Sequence, residues 1–181
     1  MIVGITGTNG AGKGTVVDFL VKQKNFHHFS ARNFLIEEIL RQGLPVDRTH
    51  MRQVANEMRK ANGPSYVVEQ LLAHAEAVKG EHSVIESIRT IGEAEHLQKH
   101  RALLWGVDAD RNIRYERVLK RWSETDKVDF KTFCEHEDRE MLGTEPWDMN
   151  VFGVMKIADQ IFLNNGTVEE LFAQVEEVLN K

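Results

Sequence analysis

A glycine-rich segment near the start of the chain carries the residues best suited to bind a phosphate. Residues 7–13 read GTNGAGK and match the first seven positions of G-x-x-x-x-G-K-[ST]; Gly14 takes the Ser/Thr position and Thr15 follows. Glycines have no Cβ, so successive N–H groups of such a loop can point inward at an anion, and a helix that starts there adds its positive end. The predicted nucleotide-binding residues are Thr8, Asn9, Gly10, Ala11, Gly12, Lys13, Gly14 and Thr15.

Two side chains of this segment have the chemistry to handle a nucleoside triphosphate. Lys13 can reach the β- and γ-phosphates, and the Thr15 hydroxyl is a candidate ligand for Mg²⁺. ATP and Mg²⁺ are therefore the predicted cofactors. The alternative is a simple glycine turn with Lys13 in solvent, but a strand pattern before the loop and a helix pattern after it favour phosphate binding.

A carboxylate at the end of a strand is the second candidate for the Mg²⁺ shell. Glu86 follows the predicted strand residues Ser83, Val84 and Ile85, and doubly wound sheets place their ligand sites at the carboxyl ends of strands. Asp108 holds an equivalent position after the run 102–107, and either carboxylate could instead cap a helix. We favour Glu86 because Arg89, close by in the sequence, is a candidate ligand for an acceptor phosphate.

Arginines are the remaining candidates, because phosphoryl transfer depends mainly on alignment and neutralisation of charge. Arg114, Arg117 and Arg121 are spaced so that they share one face of a helix. A solvated basic face paired with acidic neighbours would give the same pattern. The acceptor-side candidates, for which ordinary surface arginines are the alternative, are Arg32, Arg59 and Arg89.

Strands alternating with helices must position these residues. Apolar runs predict strands at 2–6, 26–30, 83–87, 102–107 and 161–163. Helical spacing and capping signals predict helices at 14–24, 33–42, 49–61, 66–78, 90–100, from 111, at 129–141 and after 166. The alternation predicts an α/β fold with a doubly wound parallel sheet flanked by helices. The polar stretch 122–148 has weak periodicity and could lie over a cleft.

Several segments resemble adenylate kinases and related nucleoside monophosphate kinases. The run 12–15, GKGT, is similar to the phosphate loop of that family, residues 84–89 resemble its strand ending in D-G-F-P-R, and Arg117 with Arg121 matches its R-x-x-x-R. Ser30 and Leu35 stand where the family has S-T-G-D-x-L, although Ile36 replaces the arginine that follows. Nearly the whole chain resembles an archaeal-type group of adenylate-kinase-related and dephospho-CoA-kinase-like proteins.

The resemblance implies a P-loop kinase with two elements over its sheet. One is a helical acceptor-binding insertion at about 30–80, and the other is an arginine-bearing lid at about 122–148. It also implies catalytic roles for Arg117 and Arg121 beside Lys13. Arg139, which lies among acidic residues, is either a second lid arginine or part of a surface ion-pair network.

The expected acceptor follows from a carboxylate that is missing after the second strand. A hydroxyl acceptor is usually deprotonated by a positioned carboxylate, and dephospho-CoA kinases carry an I-D-A-D-type segment there, whereas residues 29–33 read FSARN. An acceptor that is already a phosphate needs no base and gains from arginines. We therefore expect ATP-dependent phosphotransfer to a nucleoside or deoxynucleoside monophosphate. A dephospho-CoA-kinase-like enzyme and a non-catalytic nucleotide-binding protein stay open as alternatives.

Composition limits the other function classes. The chain has 181 residues, which fits one domain over 1–181, and its formal charge of −5 argues against nucleic acid or an acidic membrane as a partner. Its single cysteine, Cys134, suits a reducing compartment, so a cytoplasmic location is expected. The expected partner is a small-molecule, nucleotide-like acceptor, and the expected state is a monomer or homodimer. No aspartate is followed three positions later by glycine, and Asn-Lys-x-Asp does not occur, which disfavours a GTPase switch.

Overall fold

A parallel five-stranded sheet with the order β2-β3-β1-β4-β5 forms the centre of the computed structural model. The structure describes residues 1–78, 81–121 and 128–180, without the side chains of Arg48 and Arg121. The strands are β1 (Ile2–Gly7), β2 (His27–Ser30), β3 (Ser83–Glu86), β4 (Leu103–Asp108) and β5 (Gln160–Leu163). The described helices are α1 (Lys13–Lys24), α2 (Ala31–Arg41), α3 (Arg48–Asn62), α4 (Tyr66–Ala77), α5 (Ile91–Lys99), α6 (Arg111–Arg121), α7 (Phe130–Met141), α8 (Val151–Lys156) and α9 (Val168–Leu179).

Strand β1 lies in the middle of the sheet and is buried on both faces. It pairs with β3 on one side, where Ile5 lies opposite Glu86, and with β4 on the other, where Ile5 lies opposite Trp105. Val3 and Ile5 are fully buried, as expected for β-branched residues of a central parallel strand. The strand order changes direction around β1, so the loop that follows it opens at the crevice where such sheets bind ligands.

Two hydrophobic layers cover the sheet. On one face the buried residues come mainly from α2 to α5, with Val154 of α8, and pack on Ile85 and Leu104. On the other face α1 and α9 pack on Val3, Val107 and their neighbours, and the Trp105 ring meets the edge of Phe162 at 5.3 Å between centroids. Helices on both faces confirm the predicted doubly wound α/β architecture.

The observed elements agree with the predicted ones except at a few boundaries and in one helix. Helix α2 begins at Ala31, earlier than predicted, because the Ser30 side chain accepts a hydrogen bond from the Asn33 N–H and acts as its N-cap. Helix α8 was not predicted. It has 6 residues, too few for a helical period to emerge, and Asn150 starts it by accepting from the Gly153 N–H.

Candidate active site between the phosphate loop and helix α3

The turn between β1 and α1 has the backbone geometry that an anion site needs. Gly12, the N-cap of α1, adopts the left-handed region with φ 101° and ψ 22°, and a Cβ there would collide with Nδ2 of Asn164. The position therefore requires glycine. Because Gly12 supplies no side-chain cap, the N–H groups at the start of α1 are left for a ligand.

Three side chains outside this turn hold it in place. Asn164, which follows β5, donates from Nδ2 to the Ala11 carbonyl at 2.8 Å. Arg114 of α6 donates from Nη1 to the Asn9 carbonyl at 3.3 Å. The third is Asp108 at the end of β4, whose Oδ1 accepts a hydrogen bond from the Thr8 hydroxyl at 2.6 Å. Residues at the ends of β4 and β5 and a residue of α6 therefore hold the loop in one conformation.

The loop residues predicted to bind nucleotide divide into lining and supporting groups. Thr8 and Ala11 are buried and support the turn, while the remaining residues of 9–15 face a common cavity. The ammonium of Lys13 donates to the carbonyl oxygens of Gly7 at 2.9 Å and Thr8 at 2.7 Å. This places the cation at the wall of the cavity, beside the loop that would hold the phosphates.

The cavity extends from the loop to α2 and α3 and to the segment 136–149. Its volume is about 1340 Å³, above the 300–1,000 Å³ or so of ordinary ligand pockets, so it has room for two small ligands. Basic side chains occur at both of its ends. Those lining it are Lys13, Arg32, Arg52, Arg59, Arg89, Arg117 and Arg139.

Glu86 is the carboxylate that the structure places in this cavity. It accepts a hydrogen bond from the Ser30 hydroxyl at 2.7 Å, and His28 Nε2 lies 3.5 Å from its Oε1. Burial raises the pKa of Glu86, but the hydrogen bonds from His28 and Ser30 and the charges of His28 and Lys13 outweigh this effect, so the pKa lies below its ordinary value. The group is therefore an ionised carboxylate at neutral pH.

Asp108, the alternative carboxylate, does not line the cavity. Its Oδ1 accepts from the Thr8 hydroxyl and from the Ala109 N–H at 2.9 Å. These bonds give it a role in holding the loop, so Glu86 is the better-placed candidate for a metal shell. Together with Thr15 it could supply a hard oxygen ligand to Mg²⁺, which proteins usually bind through one or two carboxylates plus phosphate oxygens and water.

The arginines of α6 do not act as one group. Arg114 is buried in an ion pair with Glu137 of α7, and its Nε donates to the Ala109 carbonyl at 2.7 Å, so it braces the loop instead of facing a ligand. Arg117 lines the cavity and donates from Nη1 to the Asn164 carbonyl at 2.8 Å. Arg121 is the last residue of α6, and its side chain lies outside the described residues.

The three acceptor-side arginines all line the cavity, in different environments. Arg32 is exposed at the start of α2, and Arg89 is half-buried, with its Nη1 3.1 Å from Oε2 of Glu140. Arg139, the other lid candidate, is exposed on α7 and also lines the cavity. The sequence predicted which arginines to consider, and the fold brings these to one chamber.

Arg59 is held much more rigidly than the sequence indicated. Its Nε and Nη2 both donate to Glu93 Oε1, at 2.8 Å and 2.6 Å, and the two side chains are only 2% and 1% exposed. Glu93 Oε2 accepts in turn from the N–H groups of Arg89 and Thr90, which completes the capping box of α5. The remaining nitrogen, Arg59 Nη1, is buried without a hydrogen-bond partner, a state that costs about 1–3 kcal/mol.

Two asparagines are functional candidates that the sequence analysis did not identify. Asn56 of α3 lines the cavity, and its Oδ1 is buried without a partner. Asn164 supports the loop through its side chain, and its carbonyl accepts a hydrogen bond from Arg117. Its position directly after a strand, at the carboxyl edge of the sheet, is the signal that could have found it.

Two other features are absent from residues 1–78, 81–121 and 128–180. No helix in these ranges combines the length and apolar character needed to cross a bilayer. Nor do three or more His, Cys, Asp or Glu side chains come together there as a metal-binding group.

With the loop, cavity and sheet order established, similarity to known proteins places the chain in a family. Residues 3–143 match a family model described as an AAA domain. A UPF0200 protein of Methanococcus vannielii is 30% identical over 183 aligned residues, which cover 99% of this chain and 95% of the relative. The chain belongs to the UPF0200 family. A UPF0200 protein of Pyrobaculum aerophilum is 29% identical over 98% of this chain and 96% of its own length.

Solved structures identify the fold. TT1252 from Thermus thermophilus superposes with a TM-score of 0.64 at 19% identity, covering 99% of this chain and 96% of its own. A shikimate kinase from Bacteroides thetaiotaomicron superposes with a TM-score of 0.58 at 12% identity, covering 100% and 99%. At these identities the likeness establishes the fold alone. This UPF0200 protein has a P-loop kinase fold.

Proposed function

We propose that the protein transfers the γ-phosphate of ATP to a nucleoside or deoxynucleoside monophosphate. The observation that carries the proposal is that the phosphate loop and an arginine-bearing wall face one cavity large enough for both reactants. A protein that only bound ATP would not need basic side chains at the end of this cavity away from the loop. The kinase fold of the structural neighbours is consistent with this activity.

The residues at the loop end fit ATP with Mg²⁺. Backbone N–H groups of the loop and the start of α1 would hold the phosphates, and Lys13 would bind their β- and γ-oxygens. Thr15 and Glu86 would hold Mg²⁺, which neutralises phosphate charge when it is bound. Arg117, fixed at the end of β5 by Asn164, would contact the triphosphate from the other side.

The residues at the other end fit an acceptor that already carries a phosphate. Arg32 and Arg89 would bind that group and turn one of its oxygens toward the γ-phosphate. Such an oxygen is ionised at neutral pH, so no protein base is required. In this scheme α2 to α4 form an acceptor-binding insertion at about 30–80, and α7 belongs to a lid at about 122–148. Residues 79–80 of the insertion and 122–127 of the lid lie outside the described residues.

A hydroxyl acceptor is the second candidate, because an ionised carboxylate does lie in the cavity. Glu86 could accept the proton of an alcohol, although its lowered pKa makes it a weak base. A dephospho-CoA-like alcohol would then replace the monophosphate.

The test is ADP release from ATP·Mg²⁺ with a panel of ribo- and deoxynucleoside monophosphates, dephospho-CoA and shikimate, with Lys13→Ala as the blank. Stimulation by one or more monophosphates is the expected result. Stimulation by an alcohol alone would assign the second candidate and a base role to Glu86. If no compound stimulates ADP release while ATP binds, the protein is a nucleotide-binding module and the proposal is wrong.

A further inference from the structure

We infer that Asn56 and Arg59 form a subsite that binds the heterocyclic base of the acceptor. This inference rests on the proposed function and adds the specificity-determining residues. Both side chains lie on α3, three positions apart and thus on the same helical face, and both line the cavity. Each has one buried polar atom without a partner, Oδ1 of Asn56 and Nη1 of Arg59.

The orientation of the Asn56 amide is fixed by its neighbour. Its Nδ2 donates to Oδ1 of Asp148 at 3.0 Å, and a carboxylate oxygen accepts hydrogen bonds. The amide nitrogen must therefore face Asp148, which leaves the carbonyl oxygen as the unused group. Asn56 consequently offers the ligand a hydrogen-bond acceptor.

The charge balance around Arg59 indicates what its free nitrogen would bind. Glu93 neutralises the guanidinium of Arg59, and both side chains are almost entirely shielded from solvent. A phosphate would add a second, uncompensated negative charge to this buried pair. Arg32, which forms no ion pair within the described part of the chain, suits a phosphate better. Arg59 Nη1 is therefore a donor for a neutral oxygen or ring nitrogen.

A donor and an acceptor on the same face of one helix are the groups that one edge of a nucleobase requires. Adenine and cytosine present a ring nitrogen next to an amino group, and guanine, uracil and thymine present a carbonyl next to a ring N–H. In each case Arg59 Nη1 would donate to the first group, and Asn56 Oδ1 would accept from the second. A sugar phosphate without a base has no such edge, so the subsite selects base-bearing acceptors.

The test compares nucleoside monophosphates with ribose 5-phosphate, which has the same sugar and phosphate but no base. Asn56→Ala and Arg59→Lys are each expected to raise the KM for the preferred monophosphate about tenfold per hydrogen bond lost, and so to reduce the preference for the monophosphate over ribose 5-phosphate by about the same factor. Asn62→Ala is the matched control, because Asn62 is exposed on the same helix and donates only to the Met58 carbonyl at 3.0 Å. Thermal melting checks that each variant is folded.

Calorimetric binding of the corresponding nucleoside, which lacks the phosphate, separates this inference from the proposed function. Loss of nucleoside binding in Asn56→Ala, but not in Asn62→Ala, would support the subsite even if no monophosphate were phosphorylated. Unchanged nucleoside binding and unchanged KM in the folded Asn56→Ala and Arg59→Lys variants would overturn the subsite, even if phosphotransfer were demonstrated. Wild-type protein that neither binds a nucleoside nor uses a monophosphate would overturn both.

Discussion

The two ends of the cavity are built in different ways. At the loop end the binding groups are mainly backbone N–H groups, and Asn164, Arg114 and Asp108 hold the turn in one shape through hydrogen bonds. At the α3 end the binding groups are side chains, and two of their buried polar atoms have no partner. A phosphate is the same in every nucleotide, whereas an acceptor varies, so the first end is suited to a general reactant and the second to a specific one.

Each end is also braced by a buried arginine–glutamate pair, and the two pairs differ in one respect. Arg114 uses its nitrogens on Glu137, Ala109 and Asn9, all of which belong to the protein. Arg59 uses two of its nitrogens on Glu93 and keeps the third unbonded. The first pair is structural, and the second has a donor left for a ligand.

The largest expected effect is at the loop end. Lys13→Ala should lower kcat about a hundred- to a thousandfold, because it removes a cation aimed at the charge that develops during transfer. Lys22→Ala is the control, since Lys22 is exposed on the same helix and pairs with Asp18. Steady-state ADP release measures both. Turnover retained in a folded Lys13→Ala variant would remove the loop from the catalytic site.

At the other end, breaking the buried pair should affect folding first. Arg59→Ala leaves Glu93 buried without its partner and should lower the free energy of unfolding by about 3–5 kcal/mol, as measured by urea denaturation. The double variant Arg59→Met, Glu93→Gln should regain most of this, because glutamine can still complete the capping box. A loss below about 1 kcal/mol in Arg59→Ala would show that the pair is solvated in solution.

Gly12→Ala should be damaging for a backbone reason. Its positive φ and the contact with Asn164 leave no space for a methyl group. The strain should cost about 1–3 kcal/mol in unfolding free energy and weaken ATP binding. Calorimetric titration of ATP into this variant measures the second effect. Wild-type affinity in Gly12→Ala would contradict a loop that is preformed by Asn164.

Glu86 lines the same cavity as both ends, and its replacement should have a smaller effect. The effect should appear in two measurements, the Mg²⁺ dependence of turnover and the pH dependence of stability. In Glu86→Gln, the Mg²⁺ concentration needed for half-maximal turnover should rise several-fold. Because the folded pKa of Glu86 is lowered, its contribution to stability is complete above the unfolded pKa of about 4.3 and is lost as the pH falls through the folded value. Stability of the glutamine variant should therefore depend less steeply on pH in that acid range. Identical Mg²⁺ and pH profiles in both proteins would leave Glu86 without either role.

Gly14 should give the smallest effect and provides a contrast with Gly12. A Cβ there meets nothing within 4 Å, and the residue lies in the first turn of α1. Gly14→Ala should raise the free energy of unfolding by up to about 1 kcal/mol through its higher helix propensity. A loss of stability measured by urea denaturation would mean that the backbone of this turn requires glycine at both positions.

The sequence predicted the strand, the turn and the helix of the loop end because their signals are local. A strand pattern, three glycines, a lysine and a helix pattern follow one another within about twenty residues, and each constrains the next. The parallel sheet was predicted from the alternation of strand patterns and helix patterns along the chain. Thr90 revealed a helix start, because its side chain caps the backbone three residues further on, whereas the cap at Ser30 was not predicted.

The α3 end was predicted less completely because its contacts join distant parts of the chain. Arg59 was identified as a candidate, but its partner Glu93 lies 34 residues away, and the capping box explained Glu93 without it. Asn56 depends on Asp148, 92 residues away. No periodicity or motif connects such residues, so only the packing of α3 on the rest of the fold shows which of their atoms stay unbonded.

The most direct test of the central claim is to follow a radiolabelled γ-phosphate from ATP in the presence of each nucleoside monophosphate. The account predicts that the label appears in a nucleoside diphosphate, at a rate that Lys13→Ala abolishes and Lys22→Ala preserves. Label that appears only as inorganic phosphate, whichever acceptor is present, would contradict it, because the arginine-bearing end of the cavity would then have no part in phosphotransfer.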